Sequence, residues 1–329
     1  MKRIGLPLLL SSGFLMTACQ NHGAFDQVIS QKYVHKYGFD VSAEEWDERY
    51  QDGLVIEDLK NGVRITRCYE NGKLHGTTSH TFPNSPVVEK ALVYAQGNLL
   101  KETLYDPQGM PIREDLYEFE DRHMITLWSD HGVPLSIEEY ENEILINGSY
   151  YTTEHELEAR VEGGYGYRMR RTRDGDIISR DQMQNGLIAQ RTTYHPNGEI
   201  HTVSNYSDYQ LHGPQFKFTA QGRPLMELSW NHGILDGTKV IYRNGLRVAE
   251  IPYEQGQKQG IETHYDDLGN MISQTLWKDD KKHGCCKSFT EESVDSDWFF
   301  QGMLVDKDRF DLLEQREQII AEFSIERSN

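Results

Sequence analysis

Positive charge is scarce in this chain. Its 329 residues carry 34 Lys and Arg against 52 Asp and Glu, a formal net charge of −18. An acidic surface of that size repels nucleic-acid phosphates and anionic headgroups, which excludes nucleic acid as a partner and any membrane contact through a basic patch. Long apolar runs are missing too. The longest, from Ile4 to Met16, is short of the roughly 20 residues a spanning helix needs. Cysteine is sparse: Cys19, Cys68, Cys285 and Cys286 form no C-x-x-C pair and no zinc spacing. Adjacent residues on a strand point to opposite faces, so a Cys285–Cys286 disulfide would break the strand. The hydrophobic share is only 37%, low for a globular enzyme, and fits a thin sheet with much surface per residue.

Catalytic signatures are absent as well. The chain has no H-E-x-x-H, no G-x-S-x-G elbow, no phosphate loop and no dinucleotide fingerprint. The carboxylates are spread over the whole length, which reads as a solvated acidic face; a hydrolase with scattered carboxylates is the weaker alternative. Among the 13 histidines, His75, His131, His212, His232 and His283 of the repeat region immediately precede a glycine, as if they occupy one place in a repeated turn. The expectation is therefore no catalytic residue, no metal and no cofactor.

What the chain does have is a period. The series Tyr194, Tyr206, Phe218, Trp230, Tyr242, Tyr253, Tyr265, Trp277, Phe289, Phe300 advances in steps of 11 or 12, and Tyr69, Phe82, Tyr94, Tyr105, Tyr117, Trp128, Tyr140, Tyr151 keeps about the same spacing. Aromatic residues placed so regularly argue against disorder. Twelve residues suit one short strand and its turn. Glycines mark a double unit: Trp230, Gly233, Gly237, Tyr242, Gly245 is followed in phase by Tyr253, Gly256, Gly260, Tyr265, Gly269. Glycine and its partner Asn or Asp belong in tight hairpin turns, where the backbone takes positive φ. Alternation from the second glycine puts Phe216 and Phe218, Val240 and Tyr242, Thr263 and Tyr265 on one inner face, with Glu262 and His264 outside, and predicts ring-on-ring stacking of neighbouring hairpins.

This unit resembles the MORN-variant repeat of the YwqK family, which carries an antitoxin label. Well-matched positions cover about residues 183–290 and looser ones 58–150. The resemblance implies an all-β repeat fold, an elongated antiparallel sheet of stacked β-hairpins that meets partners along its length. It also implies, as an alternative function, a toxin-neutralising or immunity partner of an effector. Over 152–182 the pattern weakens; Gly163, Gly164 and Gly166 there predict an irregular bend. Beside them Arg168, Arg170, Arg171 and Arg173 form a basic patch that either meets an acidic partner or is a solvated strand face.

The ends differ from the array. Lys2 and Arg3, the apolar run and Leu15-Met16-Thr17-Ala18-Cys19 resemble a bacterial lipoprotein signal with its lipobox. That resemblance implies a signal peptide over 1–18, lipidation of Cys19, a tether over 19–24 and a cell-envelope location held by the lipid. Gln20, in place of an aspartate, favours the outer over the inner membrane. Residues 25–57 read as a non-repeat segment with a short helix opened by the capping box Ser42-Ala43-Glu44-Glu45. The hairpin repeats then run over 58–303. Residues 304–329 read as a helix capped by Asp306, with Phe310, Leu313 and Ile320, and Leu312 and Ile319, at helical spacing, lying over a sheet edge. The functional expectation is a non-catalytic, membrane-anchored scaffold for an unknown protein or glycan.

Overall fold

A computed structural model describes residues 27–49, 51–118 and 121–326. They are nearly all β, in antiparallel hairpins, with helices α1 (Ala43–Arg49) and α2 (Lys307–Glu326) near the two ends. Cys19 and the segments 1–18 and 19–24 lie outside the described residues. None of the described helices is long and apolar enough to cross a membrane. The chain divides into two units, Met1–Gly109 and Met110–Asn329.

In the first unit Val28–His35 pairs on one side with the short strand Asp40–Val41 and along its length with Gly53–Leu59. The sheet continues through Arg64–Glu70, Gly76–Thr81 and Val88–Ala95 to Asn98–Tyr105. The segment read as non-repeat with only a helix thus supplies Asp40–Val41, most of Gly53–Leu59 and a full strand, Val28–His35. Its sequence, Val-Ile-Ser-Gln-Lys-Tyr-Val-His, lacks clear alternation, which is why it does not read as a strand. Between the strands sits α1. Its capping box is reciprocal: the Ser42 N–H donates to Glu45 Oε2 at 3.0 Å and the Glu45 N–H to Ser42 Oγ at 3.2 Å. Trp46 is buried and packs on Tyr33 and Tyr69, with ring centroids 5.4 and 5.9 Å away.

The second unit runs from Pro111–Tyr117 to Met303–Val305 with successive strands antiparallel. Two local devices recur. The residue before the second glycine donates its N–H to a carbonyl seven positions back: Asp236 to Ser229, Gln259 to Pro252 and His283 to Leu276, as His75 does to Cys68 in the first unit, at 2.8–3.1 Å. The second device links turn to turn. Gly233 donates to Leu211, Gly256 to Leu235 and Gly302 to Lys282, each at 2.8 Å. These three tips are thereby bonded to the hairpin before them, whereas Gly198, Gly222 and Gly269 in the alternate turns donate within their own turn; the period of about 23 residues separates successive tips of the bonded series. The turns take positive φ at both central residues, as at His232 (47°) and Gly233 (80°), the geometry whose twist matches the flanking strands.

Over 152–182 the hairpins continue unbroken. Leu157–Glu162 and Tyr165–Arg171 are joined by a two-residue turn at Gly163 and Gly164, and Tyr165–Arg171 pairs with Ile177–Gln184. The expected bend is a hairpin. The aromatic period fades because the buried positions hold other residues: Leu145, Tyr150, Val161, Met169 and Met183 form the apolar cluster here.

Asp306 caps α2, accepting the Arg309 N–H on Oδ1 at 2.7 Å. Phe310 lies on Trp298 and His283, centroids 5.1 and 5.4 Å apart. Trp298 and Phe300 are two apart in one strand and share a face, so the helix covers a face and not the sheet edge. That edge is the short strand Met303–Val305, whose Met303 and Leu304 are exposed. Farther along α2, Leu312, Ile319 and Ile320 are more than half exposed, while Leu313 is partly buried like Phe310.

Candidate functional site

The arginine cluster is mostly occupied by the fold itself. Arg168 forks onto Glu138, Nε to Oε1 at 2.7 Å and Nη2 to Oε2 at 2.9 Å, and Nη2 also reaches Tyr140 Oη at 3.2 Å. Tyr140 and Tyr150 donate their hydroxyls to the same carboxylate at 2.6 and 3.0 Å. Burial by itself would raise the Glu138 carboxyl; the Arg168 charge and these hydrogen bonds outweigh it and hold the pKa below the ordinary value. Arg171 pairs with Glu158 and Arg173 with Asp130. Only Arg170 has no carboxylate partner among the described residues. Three of the four arginines are therefore committed internally, and the four do not form a free basic patch.

The Glu138 group belongs to a wider polar core that the sequence reading missed. Asp181 is fully buried and held by Arg191 at 2.8 and 2.7 Å. Glu262, 7% exposed, accepts from Lys258 and meets His264, both at 2.7 Å, while Ile261 beside it is 53% exposed. The expected inner and outer sides are inverted at this pair. Thr263 is buried as well, so both faces of the sheet are partly covered. The repeat aromatics do not stack on one another either: the ring contacts among residues 194–278 join His195 to His201 and His212 to His232. The aromatics bond polar side chains instead. Tyr242 donates to Glu227 at 2.7 Å and Tyr265 to Glu250 at 2.9 Å, each 15 positions back. These two tyrosine–glutamate pairs share one offset, but Tyr206 and Tyr253 have Arg191 and Thr238 at the same place, so the sequence carries no general signal for the bond.

The histidines before glycines occupy several places, not one. His75 and His283 are in the seven-back device, His212 lies within Gln210–Phe218, and His131 and His232 sit in turns. His283 joins Glu314 and Glu317 of α2 in a group of three possible metal ligands whose atoms lie within 4.8 Å. The hydrogen bonds do not suit a metal. Gln301 donates its backbone N–H to His283 Nδ1 at 3.3 Å, so Nδ1 is bare and the proton sits on Nε2, facing Glu314 Oε2 at 2.9 Å. A metal-bound imidazole donates from its other nitrogen; here that nitrogen already accepts. Glu317 is engaged by Lys278 and Gln301. The group fastens the helix to the sheet.

A groove of about 570 Å³ crosses the sheet of the first unit, lined by the apolar Leu59, Val63, Ile65 and Leu104, by the basic Arg67, His80 and Lys90, and by Val28, Glu57, Asn61 and Glu89. Cross-strand pairing aligns its floor: Glu57 opposes Ile65, Ile65 opposes His80, His80 opposes Lys90, and Lys90 opposes Leu104. Both cations are anchored, Lys90 to Glu102 at 2.8 Å and Arg67 to Glu57. The His80 ring has no hydrogen-bond partner among the described residues. No motif marked this groove, because its residues come from five strands and meet only through register.

No protein-family model matches this chain, and no curated protein is similar to it by sequence.

Proposed function

We propose that the protein is a non-catalytic repeat scaffold, tethered to the cell envelope through a lipid on Cys19, that holds a protein partner along its stacked hairpins. The observation that carries this reading is the ladder of turn-to-turn hydrogen bonds. It sets successive strands at constant spacing, so exposed side chains are presented as a regular array, the surface that repeat proteins use for binding. The polar groups brought together inside the fold are spent on one another as ion pairs and hydroxyl–carboxylate bonds, which supports holding over chemistry. The N-terminal lipoprotein-like segment supports the tether, since two or more acyl chains give stable anchoring where one does not.

Two measurements test this. Replacing Cys19→Ser is expected to move the protein from the membrane to the soluble fraction; retention in the membrane would remove the lipid anchor. Crosslinking and affinity capture of the lipidated protein from its own envelope is expected to return one stoichiometric protein. Recovery of glycan alone, or of nothing, would overturn the protein-scaffold reading.

A further inference from the structure

We propose that the groove of the first unit binds a small amphipathic monocarboxylate, its anionic head at His80 and its hydrocarbon body along Leu59, Val63 and Ile65. The volume of about 570 Å³ falls in the range of small-molecule sites, which are apolar concavities with a few placed polar groups. Both parts of such a ligand have a counterpart here. Leu59 and Ile65 are at most 8% exposed and form an apolar wall. His80 stands next to them in register, with Lys90 across from it.

The head position follows from charge and hydrogen bonding. An imidazole with no protein partner, half inside a groove, has a donor and an acceptor to offer. Burial first, then the charges of Lys90 and Arg67, depress its pKa, so the nearby ionised groups that act on the ring are cations. Arg67 and Lys90 each keep N–H groups beyond those used on Glu57 and Glu102, because a guanidinium has five and an ammonium three. A single negative charge fits better than two, since Glu57 and Glu89 also line the groove and would repel a dianion. Binding an anion beside His80 raises the affinity of the ring for a proton, so the complex takes up protons near neutral pH.

The test is titration of the full chain with dodecanoate below its micellar concentration, followed by calorimetry and by the ring resonances of His80. Saturable one-to-one binding, movement of the His80 signals and proton uptake are expected. Dodecanol, which lacks the head, and butyrate, which lacks the body, are each expected to bind at least about tenfold more weakly. His80→Ala removes a hydrogen bond to a charged group, which corresponds to about a tenfold or larger loss of affinity. Lys90→Met serves as a second variant should the first not fold, with a loss in the same direction. Binding of dodecanol equal to that of dodecanoate, still His80 resonances, or undiminished affinity in a folded variant would overturn the assignment.

Discussion

Arg168 holds Glu138 with two nearly parallel hydrogen bonds across 30 residues of sequence. The Glu138 side chain is 5% exposed and that of Arg168 22%. Removing one member leaves a buried charge without its partner, which costs about 3–5 kcal/mol. Arg168→Met is therefore expected to lower the urea midpoint sharply. The double variant Glu138→Leu/Arg168→Met should regain most of that loss. A double variant no better than the single one would mean that Tyr140 and Tyr150, not the charge, set the cost.

Gly148 is shaped by its neighbour. A Cβ at this position would overlap the Tyr150 hydroxyl, and Tyr150 is fully buried. Gly148→Ala is expected to destabilise the protein by about 1–3 kcal/mol through overpacking. Tyr150→Phe removes the obstructing oxygen, so the two substitutions should cost less together than their sum. Strict additivity in thermal melts would contradict this coupling.

Stability should depend on pH through two buried carboxylates. Glu138 and Glu262 both have pKa values below the ordinary one; in each, burial pulls upward and is outweighed by cations and hydrogen bonds, from Arg168 and two tyrosines in one case and from Lys258 and His264 in the other. A depressed folded-state value means that their contribution is complete above the unfolded range near pH 4.3 and is lost as pH falls through the folded values. Urea midpoints measured from pH 7 to pH 3 are expected to fall most steeply below about pH 4.5. Glu138→Gln should flatten that fall.

The cap of α2 rests on one side chain. Asp306→Ala removes the acceptor of the Arg309 N–H and is expected to cost about 1 kcal/mol. Amide exchange should speed up in the first turn of the helix while the strands keep their protection. Unchanged exchange there would show that Phe310 alone holds the helix in place.

The hairpin architecture was legible because it depends on local chemistry. Pairs such as Gly233 with Gly237 and Gly256 with Gly260 mark turns through backbone conformation, and Ser42 and Asp306 announce their helices through caps. What decides the interior is different in kind. Ile261 and Glu262 are neighbours on one strand, and their exposure depends on Lys258 and His264, which a period-two pattern does not weigh. Arg168 looked like a binding group because its partner Glu138 lies three strands away. The groove at His80 is least legible of all, since it exists only once Ile65, His80, Lys90 and Leu104 are brought into one row.

The turn-to-turn ladder also limits how such a chain can change in length. Tips such as Gly233, Gly256 and Gly302 are each bonded to the hairpin before them, so gaining or losing a whole unit leaves the remaining links of that series intact. Loss of a single residue inside a unit shifts that tip away from its acceptor and turns the following side chains to the opposite face. Variation in length should therefore come in quanta of about 23 residues. On the scaffold reading proposed above, the number of units would set the length of the surface offered to a partner.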